Sequence, residues 1–271
     1  MLHPTAIIHP SAKLGANVSV GPYAIVEEGA TLGEGCVLAA HAIVRKGSVL
    51  GENVKLDSFA VVGGDPQDLK FDISIASGAR IGDGTVLREG ATVHRSTKPG
   101  GFTEVGVGVL MMGHSHVGHD CHVGARVVMA NCALLAGHIE VGEGCFLSGG
   151  TVFHQFIRLG EGVMASGNAR IGLDAPPFTI AAERNELHGL NLVGLKRRGF
   201  DLATITELKL LYKTVYQGGS PVANAKAAAP LAKTEPGKKF LAFFASGKRG
   251  FLRPVKNGRG ADGSEGDADN S

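Results

Sequence analysis

An all-β solenoid followed by a small helical module is the fold this chain of 271 residues predicts, and three observations predict it. An aliphatic residue returns every six positions through most of the chain up to Ile171. Glycine supplies 41 residues, about twice its usual share, while tryptophan is absent and charged residues reach only 19%. Beyond Asp201 the apolar spacing changes to the three and four of an amphipathic helix.

The six-residue repeat runs in phase from Leu2 through Ile8, Leu14, Val20, Val26, Leu32, Leu38, Val44, Leu50 and Leu56 to Val62. It slips between Gly63 and Ser74, resumes at Ile75, Ile81, Leu87 and Val93, crosses an irregular stretch from Arg95 to Glu104, and returns from Val105 to Ile171. A period of six fits neither the 3.6 of a helix nor a two-residue alternation, but suits short strands separated by glycine-permitted turns. The fourth residue after each aliphatic is usually small or β-branched, as at Ala24, Cys36, Ala42, Cys121, Ala133 and Thr151, and gives a second inward position. One such coil cannot bury its own inner face, so the coils must stack.

Three segments are therefore expected: a solenoid over 1–182, a helical module over 183–253, and a disordered glycine- and acid-rich tail over 254–271. Asp174-Ala175-Pro176-Pro177 marks the end of the hexads. Within the module, Leu202, Ile205, Leu208, Leu211, Tyr212 and Val215 share a helical face, with Asp201 as cap and Gly218-Gly219 as stop. Further helix is predicted over 222–231 and 238–244.

The net charge of +2 points to no nucleic acid or other polyanionic partner, but its distribution is uneven. Residues 183–253 carry 13 basic against 5 acidic side chains, and residues 1–182 carry 12 against 16, so a basic module follows a mildly acidic body. No apolar run is long enough to span a membrane and no signal-peptide pattern opens the chain, which predicts a cytoplasmic protein. Cys36, Cys121, Cys132 and Cys145 form no CxxC pair and read as reduced thiols.

Six of the 11 histidines fall between His114 and His154. With coils of three hexads, position 119 lies directly beneath 137, one strand spacing of about 4.8 Å away. His119 would then neighbour His138 and the side-chain-free amide of Gly137, which suits a developing oxyanion. Asp120 adjoins His119 and can orient an imidazole base. The excursion Gly64-Asp65-Pro66-Gln67-Asp68-Leu69-Lys70 is where a substrate loop would arise. For His3, His9 and His41, polar turn residues on a solenoid surface are the simpler reading.

The repeat resembles the hexapeptide-repeat family, whose members fold as left-handed parallel β-helices and assemble as homotrimers. Within it, several segments are similar to the UDP-N-acetylglucosamine O-acyltransferases, the first enzymes of lipid A biosynthesis: Pro66-Gln67-Asp68-Leu69-Lys70, Thr92-Val93-His94-Arg95, His116-Val117-Gly118-His119-Asp120-Cys121, Leu135-Ala136-Gly137-His138, His154-Gln155-Phe156 and the stretch from Asn191 to Phe200. The resemblance implies that His119 is the general base, assisted by Asp120, and that Gly137 N–H holds the oxyanion. By the same resemblance Asp68, Lys70, His116, His138, His154 and Gln155 line the sugar and acyl pockets, Asn191, Arg197 and Arg198 meet the uridine diphosphate, and Gly167 leaves room for a long acyl chain. The implied substrates are UDP-N-acetylglucosamine and an acyl carrier protein bearing a 3-hydroxyacyl chain, with no cofactor and no metal. Val193 departs from the pattern, which often places an acid there, and residues 183–188 look one residue shorter than in some members.

Each assignment has a structural alternative: Asp68 as a loop cap, His154 and Gln155 as partners of nearby backbone, Arg197 and Arg198 as a solvated basic face. Competing functions on this scaffold are a γ-type carbonic anhydrase, in which His114, His116, His119 and His138 would hold zinc between adjacent subunits, acylation of the 3-amino analogue of the sugar, and a solenoid subunit without activity.

Overall fold

The computed structural model describes residues 1–255, so most of the tail expected over 254–271 lies outside the described residues. The hexads coil into a parallel left-handed β-helix whose three sheets have nine, eight and eleven strands. The first face starts at Ile7–Ile8, the second at Lys13–Leu14 and the third at Ser19–Val20. Most strands are two residues long because each side of the triangle turns again after one hexad. Val26, Val44 and Val62 stack in register on the first face 18 positions apart, filling the interior with fully buried Ala24, Ala42 and Ala60 beside them. The corners need a left-handed residue, met by glycine at Gly29 and Gly47 and by Asn17, Tyr23 or His41 elsewhere.

Two excursions interrupt the register, both at the corner between the first and second faces. Val62 pairs with Val93, 31 positions on, and Val93 with Val117, 24 positions on. The first excursion occupies residues 65–77, so Ile75, expected to restart the repeat, lies in the loop; regular strand resumes at Gly78–Ile81. The second occupies residues 95–101. Arg95, 1% exposed, bolts the first loop to the coil. Its guanidinium donates to Asp65 Oδ1 at 2.7 Å, Ile73 O at 3.0 Å and Ser77 Oγ at 3.2 Å, and to Ile75 O, beneath the Phe71 ring. An Arg95→Met protein leaves these acceptors without a donor. It should lose about 3 kcal/mol of stability or more, with proteolytic cuts appearing in 65–77; unchanged cutting and melting would dismiss the bolt.

Across the expected boundary at 182 the sheet is continuous. Strand Thr179–Ala182 extends the third face, turns through Glu183 and Asn185 in left-handed conformation, and pairs antiparallel with Glu186–Leu190, which then pairs with Arg253–Pro254. Four helices follow: α1 (Leu192–Arg197), α2 (Leu202–Val215), α3 (Pro221–Ala227) and α4 (Glu235–Ala242). Asp201 caps α2 by accepting from Thr204 N at 2.8 Å. Ile205, Leu208, Leu211 and Val215 pack with Phe240 and Phe244 in a second core, whereas Leu202, in the first turn, is 79% exposed. The segment after α4 is clamped to the solenoid by buried Asp174, which accepts from Arg158 N and Nε, both at 2.9 Å, while Arg158 reaches Ser246 Oγ at 2.8 Å.

Candidate active site

The corner that carries both excursions also carries His119, His138 and His154. Directly above the second loop, the turn His119-Asp120 is followed one coil higher by Gly137-His138 and one higher again by Gln155-Phe156. Asp120, His138 and Phe156 occupy the left-handed position of their turns, with φ of 60°, 61° and 67°, a conformation glycine takes more cheaply. The stacking is continuous: His138 N donates to His119 O at 2.9 Å and Phe156 N to Gly137 O at 3.3 Å. Side chains follow it, His119 edge-on to His138 at 5.0 Å and His138 flat on Phe156 at 4.5 Å.

Asp120, 6% exposed, is the best-held polar group in the site. Ser96 Oγ donates to its Oδ1 at 2.6 Å, and Thr97 Oγ1 and N donate to its Oδ2 at 2.6 and 3.3 Å. Burial pushes its pKa up, but these bonds and the one from His119 outweigh burial and hold the carboxyl well below the usual carboxylate range. An ionised carboxylate only accepts. His119 Nδ1, 2.9 Å from Oδ2, must therefore carry the proton, leaving Nε2 with a free lone pair.

Nε2 faces the Gly137 backbone. A Cβ on residue 137 would lie 2.7 Å from Nε2 and 2.6 Å from Cε1, so only glycine lets the imidazole sit there. Gly137 N–H donates to no acceptor among the described residues. A base and a spare amide donor thus adjoin each other.

Burial disfavours the charged form of His116 and His138. Burial, with His94 and His119 nearby, lowers His116 to about 4, and its Nδ1 lies 2.8 Å from Thr92 Oγ1. His138 is also lowered, by burial and then by His119 and Lys98 against the pull of Asp120. Burial pushes the Cys121 thiol up to about 12, which makes it inert packing; all four cysteines are free.

The sequence-predicted residues fall into three groups. His119, Asp120, Gly137, His138, His154 and Gln155 share one corner, and His116 sits on the adjoining first face. Asp68 and Lys70 lie in the exposed first excursion, where Asp68 Oδ1 accepts from Lys70 N at 2.9 Å and so does cap the loop. Asn191, Arg197 and Arg198 lie one face away. Asn191 caps α1 by accepting from Gly194 N at 2.9 Å, and Arg198 stands beside Gly162 on the corner between the second and third faces, paired with Glu161. Gly167 is exposed, and a Cβ there would meet only Gly149 O at 3.7 Å.

Ser96, Thr97 and Arg249 were not foreseen. The serine and threonine stand 24 and 23 positions before Asp120, a distance that the second excursion hides from an 18-residue register. Arg249 reaches His154 from 95 positions away with no local signal.

His119, Asp120 and His138 offer ligand atoms within 4.8 Å of one another, but both Asp120 oxygens and His119 Nδ1 are already engaged as described. His114 lies at a different corner of the chain, beside Gly90, away from His119 and His138.

Comparison with known proteins agrees with this geometry. Residues 174–252 match the family described as UDP N-acetylglucosamine O-acyltransferase, domain 2, and residues 11–46 match the bacterial transferase hexapeptide. A Paraburkholderia xenovorans protein named acyl-(acyl-carrier-protein)–UDP-N-acetylglucosamine O-acyltransferase is 44% identical over 93% of this chain and 99% of its own. One of the same name from Janthinobacterium is 45% identical over 84% of this chain and 87% of its own. The chain belongs to the UDP-N-acetylglucosamine O-acyltransferase family. The solved family structure from Campylobacter jejuni, 34% identical, superposes with a TM-score of 0.88 over 94% of this chain and 100% of its own. That from Francisella novicida, 31% identical, gives 0.89 over 94% and 95%. These family names are those of O-acyltransferases, which favours a hydroxyl over an amino acceptor.

Proposed function

We propose that the chain transfers a (3R)-hydroxyacyl group from acyl carrier protein to the 3-hydroxyl of UDP-N-acetylglucosamine, the opening step of lipid A biosynthesis, in the cytoplasm. The observation that carries the proposal, given the family, is the free Nε2 of His119 beside the spare amide of Gly137. As the hydroxyl oxygen attacks the thioester carbonyl, its proton passes to Nε2, since a sugar hydroxyl is a poor nucleophile until relieved of it. The carbonyl oxygen becomes an anion that Gly137 N–H receives; one such donor contributes roughly 3 to 4 kcal/mol. Collapse breaks the carbon–sulfur bond, and the imidazolium returns its proton to the departing thiolate. Asp120 keeps Nδ1 protonated throughout. Among the described residues no helix is long and apolar enough to cross a membrane.

Two copies are needed to assemble the whole site. Asp68, Lys70, His116, His138, His154 and Gln155 are assigned to the sugar and acyl groups, and Asn191, Arg197 and Arg198 to the diphosphate, yet the two sets occupy different corners of one chain. Outward side chains support a trimer around the solenoids. The third face shows Leu110, Val128, Phe146 and Met164 and the first shows Leu134 and Val152, whereas the second shows Arg80, Glu104, His122, Glu140 and Arg158. Light scattering should give three times the 27.9 kDa of one chain; a monomeric active enzyme would refute the shared site.

The direct test is an assay of UDP-N-acetylglucosamine with a panel of 3-hydroxyacyl carrier proteins, read by product mass; no ester product with any donor would end the proposal. A long chain is expected to be preferred. The open space at Gly167 accepts a larger side chain without backbone conflict. A Gly167→Met protein should therefore fold normally and shift preference to shorter donors by tenfold or more, roughly the discrimination a few methylenes give.

A further inference from the structure

Arg249 belongs to the turn Gly247-Lys248-Arg249-Gly250, far from the histidines in sequence. Its place is fixed: Asp174 N donates to Gly250 O and Leu252 N to Asp174 O, both at 2.9 Å, with Asp174 itself locked to Arg158. The left-handed φ of Gly250 (76°) lets the chain turn back at that point. The guanidinium is thereby delivered to the top of the catalytic corner. Nη2 lies 3.0 Å from His154 Nδ1, Nε donates to Gln155 O at 3.2 Å, and the cation sits 5.9 Å from the centre of the Phe156 ring.

His154 Nδ1 is also 3.3 Å from Gln155 O. Without the arginine, that carbonyl would accept a hydrogen bond from Nδ1–H and leave Nε2 unprotonated. A guanidinium has only donors, and it occupies both atoms. Nδ1 must then accept, and the proton of neutral His154 moves to Nε2. His154 lines a cleft of about 470 Å³ with Ala136, Gln155, Arg170, Gly172 and Asn185.

We propose that Arg249 is a positioning residue that fixes the His154 tautomer, making Nε2–H a hydrogen-bond donor to an oxygen of the bound substrate. It also props Phe156, and through it the His138 ring, over His119. This rests on the acyl-transfer reading for its kinetic consequence, but not for the tautomer itself.

The test uses the full chain in two measurements. Selective ¹⁵N-histidine labelling, with His154 assigned by a His154→Gln protein, reads the tautomer without turnover. The native enzyme should carry the proton on Nε2, and Arg249→Ala should move it to Nδ1. In the assay, Arg249→Ala should lower kcat/KM by roughly tenfold or more, the effect of losing a charge-assisted hydrogen bond, and added guanidinium should restore part of it. Arg249→Lys, which keeps the charge without the planar fork, should fall between. A native His154 protonated on Nδ1, or an Arg249→Ala protein with unchanged tautomer, would overturn the proposal. So would kcat/KM within twofold of native. Absence of any acyl transfer by the native enzyme would instead sink the reading of the reaction, with the tautomer result standing separately.

Discussion

A His119→Ala protein should lose about a thousandfold in kcat, within the range that removal of a general base gives, while keeping its assembly and its melting temperature. Both halves follow from the geometry. The imidazole contributes one hydrogen bond to the fold, to Asp120, and that carboxylate retains Ser96 and Thr97 when the ring is gone. It stacks edge-on to His138 and fills no part of the solenoid interior, which is lined by residues such as Cys121 and Val117. What disappears is the proton acceptor that faces the Gly137 backbone. KM for the sugar nucleotide should change little, because the attacking hydroxyl needs the base chiefly as its proton leaves. A variant turning over at native rate would show that the corner is structural, as in a solenoid subunit without activity.

The solenoid was legible because its cause is periodic. A triangular coil demands an inward aliphatic, a small second residue and a left-handed turn every six positions, and Val26, Ala24 and Gly29 meet all three. The pairing of His119 with Gly137 followed from the same 18-residue arithmetic, because no excursion falls between them. Where an excursion does fall, the arithmetic fails. Ile75 continues the hexad spacing but sits in a loop, and Ser96 and Thr97 lie beneath Asp120 at offsets of 24 and 23, which an 18-residue coil does not contain. In the module, α2 was visible from its apolar face, whereas the strand Glu186–Leu190 was not. That strand forms because the third face offers Thr179–Ala182 as an open edge, and an edge is a property of the folded coil. The same holds for Arg198, whose ion pair with Glu161 spans 37 positions.

Asp120→Asn offers the sharpest separation of fold from chemistry. An amide preserves the shape and tolerates the left-handed φ of 60° that alanine would strain. Ser96 and Thr97 hydroxyls can rotate to serve an amide as well as a carboxylate, so most of the network survives. His119 cannot adapt without cost. An asparagine that keeps its oxygen toward Thr97 N–H and Nδ1 loses the negative charge that steadies the imidazolium, and one turned the other way loses the Thr97 N–H bond and forces the imidazole proton onto Nε2. The expected result is a loss of about three to four orders of magnitude in kcat, comparable with the loss when a triad carboxylate is replaced by its amide. The folded protein should keep the native assembly. Its acid stability should change in a defined sense. The native carboxyl is held below its ordinary pKa, so its contribution is fully present above about pH 4 and is lost as pH falls through the folded value. Native enzyme should therefore become easier to unfold by denaturant below about pH 4, and Asp120→Asn should flatten that dependence. If the amide variant kept near-native turnover, Asp120 would be only a brace for the second excursion, and the tautomer argument for His119 would fall.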